Sequence, residues 1–244
     1  MRYAIIGDIH ANLAAFKAVL EDIERQGGVE NYWCLGDIVG YGPDPHECIE
    51  LLRRLKHICV AGNHDLAAIG KVATTAFNPD AATACHWTAE RLTTSDRVYL
   101  ENLSEVVTVD EFTIVHGSPR EPIWEYLIST GIAVENFGRF KSQFCLVGHS
   151  HTPLIFIRDR EGKCSASQFT PNVKLALAEN RMIINPGSVG QPRDGDPQAS
   201  YAIYDSETGF IRLCRIPYDI EETQNRMVER GLPLRLAARL SRGI

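Results

Sequence analysis

Five short motifs in this chain carry side chains that bind metals or move protons, and each follows a run of apolar residues. Ile6 is followed by G-D-I-H, with Asp8 and His10. Leu35 is followed by G-D-I-V-G, with Asp37, and Ala61 by G-N-H-D, with Asn63, His64 and Asp65. His116 comes directly after Phe112–Val115, and Phe144–Val147 leads into G-H-S-H, with His149 and His151. Such groups resist burial unless something offsets their desolvation. Five of the eight histidines fall in these motifs, so their recurrence at strand ends calls for one common reason. Side chains two apart on extended backbone face the same way. That spacing predicts that Asp8 with His10, and His149 with His151, each grip from one side. The donors are imidazoles, carboxylates and one amide oxygen, with no thiolate. Such a set suits Mn²⁺, Fe, Zn²⁺, Co²⁺ or Ni²⁺ better than Ca²⁺ and is unlike a structural zinc cluster. Seven donors are too many for one first-row ion. They suit two ions bridged by a shared carboxylate, an arrangement used for phosphoester hydrolysis.

The elements that must hold these groups are legible in the apolar periodicity. Tyr3–Ile6 reads as a strand, and Leu13, Phe16, Leu20 and Ile23 recur at helical spacing until Gly27 and Gly28. Tyr32–Leu35 is a second strand, Pro45–Leu55 a helix and Ile58–Ala61 a third strand. This βαβαβ order predicts right-handed crossovers and a parallel sheet, whose strand ends on one edge are where such folds place their sites. Residues 66–103 carry a helical pattern over Ala81–Leu92 and no strand, a small helical insertion over the sheet. Short strands follow at Val106–Val109, Phe112–Val115, Phe144–Val147, Leu154–Ile157, Met182–Ile184, Tyr201–Tyr204 and Phe210–Arg215, which suggests a second, mixed sheet. In the C-terminal tail, 217–244, Glu221–Leu240 is amphipathic and helical around a break at Gly231 and Pro233. No repeat or linker divides the chain, which reads as one α/β domain over 1–244.

Composition sets outer bounds. Apolar residues make up 44% and charged residues 23% of 244, the ordinary globular balance. A net charge of −6 argues against bulk binding to nucleic acid or an anionic membrane, so an anionic substrate requires a local positive centre. Seven cysteines include no CxxC, and Cys34, Cys59 and Cys145 lie in apolar runs. We expect a reducing, cytoplasmic setting without disulfides. No apolar run approaches the ~18 residues of a membrane span, and no signal segment is evident.

D-x-H, G-D-x-x-G, G-N-H-D, an isolated His and G-H-x-H, in this order over residues 8 to 151, resemble the calcineurin-like metallophosphoesterase superfamily. Asn185–Arg193, N-P-G-S-V-G-Q-P-R, resembles the C-terminal loop of its compact prokaryotic phosphodiesterase branch. Each motif alone is weak, whereas the ordered set is specific. The resemblance implies a sandwich of two mixed β-sheets flanked by helices. It also implies two divalent ions, with Mn²⁺ foremost. One would be held by Asp8, His10, Asp37 and His151, the other by Asp37, Asn63, His116 and His149, with Asp37 bridging. A hydroxide between the ions would attack phosphorus in line with the leaving oxygen, His64 would protonate that oxygen, and Asp65 would orient His64.

Several residues stay open. Arg193 reads as a phosphate contact or a surface salt bridge, and Gly40–Pro43 as a rigid turn or a substrate wall. Trp124 and Tyr126 could stack a ring, but core packing fits them better. His46 and His57 read as solvated, and His86 and Trp87 as core or surface. The rival to an enzyme is a non-catalytic metal-binding scaffold on the same fold, which predicts missing donors, and none is missing. Phosphodiesters, phosphomonoesters, dinucleoside polyphosphates, cyclic nucleotides and phosphoproteins all remain as substrates, with a small phosphodiester or nucleotide favoured.

Overall fold

The apolar N-terminal run forms strand β1 (Arg2–Ile6), the centre of a sheet in the computed structural model, which describes residues 1–244. Asn12 ends the loop after β1 and starts α1 (Leu13–Arg25) by accepting the Ala15 N–H, a standard N-cap. There follow β2 (Asn31–Cys34), α2 (Pro45–Arg53), β3 (His57–Cys59) and α3 (Asn63–Ala68). A 3₁₀ turn at Thr74–Ala76 leads to α4 (Pro79–Ala89), capped by Asn78, and α5 (Thr94–Glu101), where Thr93 and Asp96 form a capping box. Helices α3, α4 and α5 fill the region read as a helical insertion.

Next come β4 (Val106–Val109), β5 (Phe112–Val115), α6 (Thr130–Phe137), β6 (Phe144–Leu146), β7 (Pro153–Arg158), β8 (Cys164–Gln168), β9 (Lys174–Ala176) and β10 (Arg181–Pro186). The chain closes with β11 (Ala199–Asp205), β12 (Phe210–Ile216), α7 (Ile220–Glu229) and α8 (Leu234–Leu240). No helix is long and apolar enough to cross a membrane.

One sheet runs β3-β2-β1-β11-β12-β9 and the other β4-β5-β6-β10-β7-β8. In the first, β1, β2 and β3 are parallel and the rest antiparallel. In the second, β6 lies parallel to both β5 and β10, and the outer pairs are antiparallel. The parallel pairing expected of β1, β2 and β3 is present, and the antiparallel strands beside them make this sheet mixed, as the family resemblance implies. Strands β11 and β12, read as part of a second sheet, instead extend this one: β11 pairs with β1, Tyr3–Ile5 opposing Tyr204–Ala202 in register, and β12 pairs with β11.

Alternation along the strands makes the sandwich. Ile5, Trp33, Leu35, Ile114, Leu146 and Ile184 meet between the sheets. Their neighbours Ala4, Ile6 and Cys34 face α1 and α2, while Val115, Cys145 and Ile183 face α6. Period-two burial on both faces fixes register, since a one-residue slip would exchange the two faces. The strand ends carrying the motifs consequently arrive at one rim.

The tail is anchored. Thr223 Oγ1 donates to Asn12 Oδ1 at 3.0 Å, Arg226 pairs with Asp44, and Arg230 donates to the Pro43 carbonyl. Met227, Leu236, Ala237 and Leu240 pack on Tyr41, Ala81 and Ala84.

Candidate metal centre

Three groups of donors converge at that rim: Asp8, His10 and His151; Asp37, His116 and His149; and His10, Asp37 and His64. Within each, the donor atoms lie within 4.8 Å of one another, and Asp37 belongs to two groups. Its Oδ2 lies 3.6 Å from His10 Nε2 and 3.4 Å from His116 Nε2. Asn63 Oδ1 lies 3.0 Å from His116 Nε2, which adds it to the second group. All seven donor residues predicted from the sequence are buried and brought together.

The way they converge differs from the sequence reading. Asp8, His10, Asp37, His149 and His151 have φ between +50° and +62°, left-handed rather than extended backbone. Positive φ in non-glycine residues is uncommon and clusters where function over-determines the chain. It breaks the same-side rule for residues two apart: His149 and His151 diverge, one into each group. Backbone bonds hold the bent loops, with Asp8 N–H donating to Gly36 O at 3.0 Å and His10 N–H to Asp37 O at 2.9 Å.

The hydrogen-bond pattern fixes the tautomers. One ring nitrogen of each imidazole faces a carbonyl, which only accepts. These pairs are His10 Nδ1 with Val39 O (3.1 Å) and His116 Nδ1 with Leu35 O (2.8 Å), then His149 Nε2 with Trp124 O (3.2 Å) and His151 Nδ1 with Gln191 O (2.6 Å). The protons therefore sit outward, and the inner nitrogens are bare lone pairs. His10 Nε2 and His151 Nε2 stand 3.0 Å apart, and His116 Nε2 and His149 Nδ1 stand 3.1 Å apart. Asp8 Oδ2 and Asp37 Oδ2 are buried beside them without hydrogen-bond partners. Acceptors facing acceptors at this range need a cation between them, and outward N–H to carbonyl bonds of this kind orient metal-binding histidines. The donor set thus fits divalent metal.

Burial sets the electrostatics. It pushes His10, His149 and His151 well below their usual pKa and His116 down to about 4, so the rings are neutral. Desolvation raises Asp8 well above the carboxylate range, with Asp37 adding repulsion, and raises Asp37 itself to about 8. In the absence of metal, protons meet the carboxylate demand that a cation would meet.

His64 sits on Tyr41 and Phe77, with ring centroids 4.4 and 4.5 Å away. Its Nδ1 is buried without a partner against Gly40, where any Cβ would collide with the ring. Nε2 is therefore the nitrogen able to serve the cavity. Asp65 does not orient this ring, contrary to expectation. Its oxygens accept the Ile38, Val39 and Gly62 N–H groups at 2.9, 3.1 and 3.0 Å. It ties the loop after β2 to the start of α3.

Asn185–Arg193 is a clamp. Asn185 Nδ2 donates to Gly148 O at 2.6 Å, Ser188 Oγ to Asp8 O at 2.8 Å, and Gln191 O receives His151. Arg193 makes no salt bridge. It donates to Gln191 Oε1 and lies by Tyr41 OH, and its Nε has no partner.

A cavity of about 300 Å³ opens over these groups, and Asp37, His64, His149 and Arg193 line its floor and side. Tyr41, Phe77, Trp124 and Tyr126 form an aromatic wall. Tyr126 stacks on His149 at 4.0 Å and is 46% exposed, so the core reading fails for Tyr126, whereas half-buried Trp124 lines the cavity and also packs against Ala61, Leu66 and Ile123. Phe77 and Asn78 were not foreseen, since F-N-P-D reads only as a helix start. His46 and His57 are also not simply solvated: His46 bonds the buried Asp96 and His57 bonds Tyr99 OH at 2.8 Å.

Comparison with known proteins agrees. An uncharacterized protein of Methanocaldococcus jannaschii is 39% identical over 98% of this chain and 97% of its own length. The crystal structure of a metallophosphoesterase from Sphaerobacter thermophilus superposes with a TM-score of 0.91 at 46% identity, covering 100% of this chain and 99% of that one. A symmetrical bis(5'-nucleosyl)-tetraphosphatase of Pseudomonas putida matches at 35% identity, over 25% of this chain and 22% of its own length. Residues 1–209 match the model of the calcineurin-like phosphoesterase superfamily domain, and the chain belongs to that superfamily.

Proposed function

We propose that this chain is a dinuclear metal-dependent phosphoesterase acting on a small phosphodiester or nucleotide. The observation that carries this reading is the set of four imidazoles whose protons are committed outward, leaving lone pairs that converge with two partnerless carboxylate oxygens. Asp8, His10, Asp37 and His151 would hold one ion, and Asp37, Asn63, His116 and His149 the other. When bound, the ions supply Lewis acidity toward phosphoryl oxygens and water.

The chain's own groups do the rest. Arg193 keeps donor capacity for a phosphate, in a fork suited to its oxygens. His64 would place a proton from Nε2 on the leaving oxygen. Burial first, then the Arg193 charge, hold this ring well below its usual pKa, so a bound phosphate is what favours its protonation. The aromatic wall excludes water and offers flat faces to a base or ring. The short match to bis(5'-nucleosyl)-tetraphosphatases supports a nucleotide substrate. Seven unpaired cysteines, six of them buried, fit a reducing compartment, and we place the protein in the cytoplasm.

A panel of phosphomonoesters, phosphodiesters and nucleotides, assayed with Mn²⁺ and with chelator, tests the reading. We expect turnover that requires metal and favours diesters or nucleotides over phosphoproteins. Metal binding without hydrolysis of any member would support the scaffold instead.

A further inference from the structure

A second groove, of about 610 Å³, adjoins the catalytic cavity, and Asn78 lines both. Its far wall is α8 and the residues after it, which contribute Arg235, Arg239 and Arg242. Asp80 is the one acidic residue in the lining. In a chain with 31 acidic and 25 basic residues, three arginines within eight positions on one groove form a local reversal of sign.

These arginines are not spent on the fold. Arg226 and Arg230, on the preceding helix, are tied to Asp44. By contrast, Arg235 and Arg242 are exposed and make no ion pair, and Arg239 donates only to the Ile244 carbonyl. Their placement is fixed nonetheless. Leu236, Ala237 and Leu240 bury the opposite face of α8 on Tyr41, Ala81 and Ala84, and the α7 anchors hold the whole tail. Arg239 is half-buried in this groove, on the helix whose other residues pack on Tyr41, which itself lines the catalytic cavity.

We propose that this groove receives the phosphate chain beyond the scissile phosphorus, so that the substrate carries at least one further phosphate. The inference rests on the phosphoesterase reading for the scissile end and on the arginine groove for the rest. Guanidinium forks bind phosphate by paired, charge-assisted hydrogen bonds. Arg193 is the one arginine in the lining of the catalytic cavity. The groove adjoins that cavity at Asn78, and its arginines supply the donors a further phosphate would need.

Two measurements separate the parts. Calorimetry on the full chain in chelator uses inorganic tripolyphosphate and orthophosphate as probes. Tripolyphosphate is expected to bind at least ~10-fold tighter, and the doubly substituted Arg235→Gln/Arg242→Gln protein to lose most of that advantage. Arg239→Gln tested singly should give a loss of the same sign. Equal tripolyphosphate affinity in all three proteins would overturn the groove. On Mn²⁺-loaded enzyme, KM for a dinucleoside tetraphosphate should rise at least ~5-fold more in the double variant than KM for bis(4-nitrophenyl) phosphate. Equal rises would also overturn it, because they would show a general field and not a second subsite. If no ester is hydrolysed, the phosphoesterase reading falls while calorimetry still decides the groove.

Discussion

Asp37→Asn is expected to abolish turnover while raising the melting temperature of the metal-free protein. Asp37 is the residue common to both sides of the centre, with Oδ2 between His10 Nε2 and His116 Nε2. Loss of that anion removes the shared donor, and turnover should fall by at least ~10³-fold, about 4 kcal/mol of transition-state stabilisation. Stability moves the other way. In the metal-free chain Oδ2 is buried without a partner, facing two lone pairs. An asparagine keeps Oδ1 as acceptor for the His64 N–H, now at 2.9 Å, and places an N–H₂ donor where Oδ2 stood. The sign of the pH dependence follows. Desolvation raises Asp37 from 3.8 to about 8, so the folded state favours the protonated carboxyl. Its contribution is fully present below pH ~4 and is lost as pH rises through about 8. Asn does not titrate, so the two proteins should converge near pH 4 and separate by several degrees near pH 8, in chelator. Lower stability of the variant at pH 8 would show that Asp37 is held by a group other than the two histidines.

His64→Ala should retain both ions and lower turnover by ~10²–10⁴-fold, the usual worth of a general acid. The ring lines the cavity and its backbone N–H binds Asp37 Oδ1, a bond that alanine keeps. The loss should shrink for nitrophenyl esters, whose leaving groups need little protonation. An equal loss for good and poor leaving groups would assign His64 to substrate positioning. Loss of metal would instead make it a ligand, a role its place beside His10 and Asp37 makes worth testing.

The site was more legible in the sequence than the reason it assembles. Donor types, their order and their places after apolar runs pointed to the strand ends, and the family resemblance picked out the seven residues that the fold unites. The local geometry was not legible, because left-handed φ at Asp8, His10, Asp37, His149 and His151 is imposed by tertiary contacts and leaves no composition signal. Asp65 was misassigned because its role was carried over from the family resemblance. The resemblance implied contact with His64, whereas on a helical turn its carboxylate points back to the Gly62 N–H and across to Ile38 and Val39. In the fold, strands with strong period-two burial were found within a residue or two. Helix α6 was missed because T-G-I-A-V-E-N-F mixes glycine with β-branched residues. Strands β8 and β9 were missed because they are edge strands: C-S-A-S-Q and K-L-A are mostly exposed and show no apolar alternation. The pairing of β11 with β1, which brings β12 into the first sheet, is a long-range contact that strand spacing could not reveal.

The central claim is that Asp37 joins two ions, and anomalous scattering from crystals grown or soaked with Mn²⁺ tests it most directly. The account predicts two peaks per chain, ~3.5–4 Å apart, the usual two-metal spacing. One should lie among Asp8, His10 and His151 and the other among Asn63, His116 and His149, with Asp37 touching both. A single fully occupied peak at saturating Mn²⁺, or two peaks of which only one contacts Asp37, would contradict it.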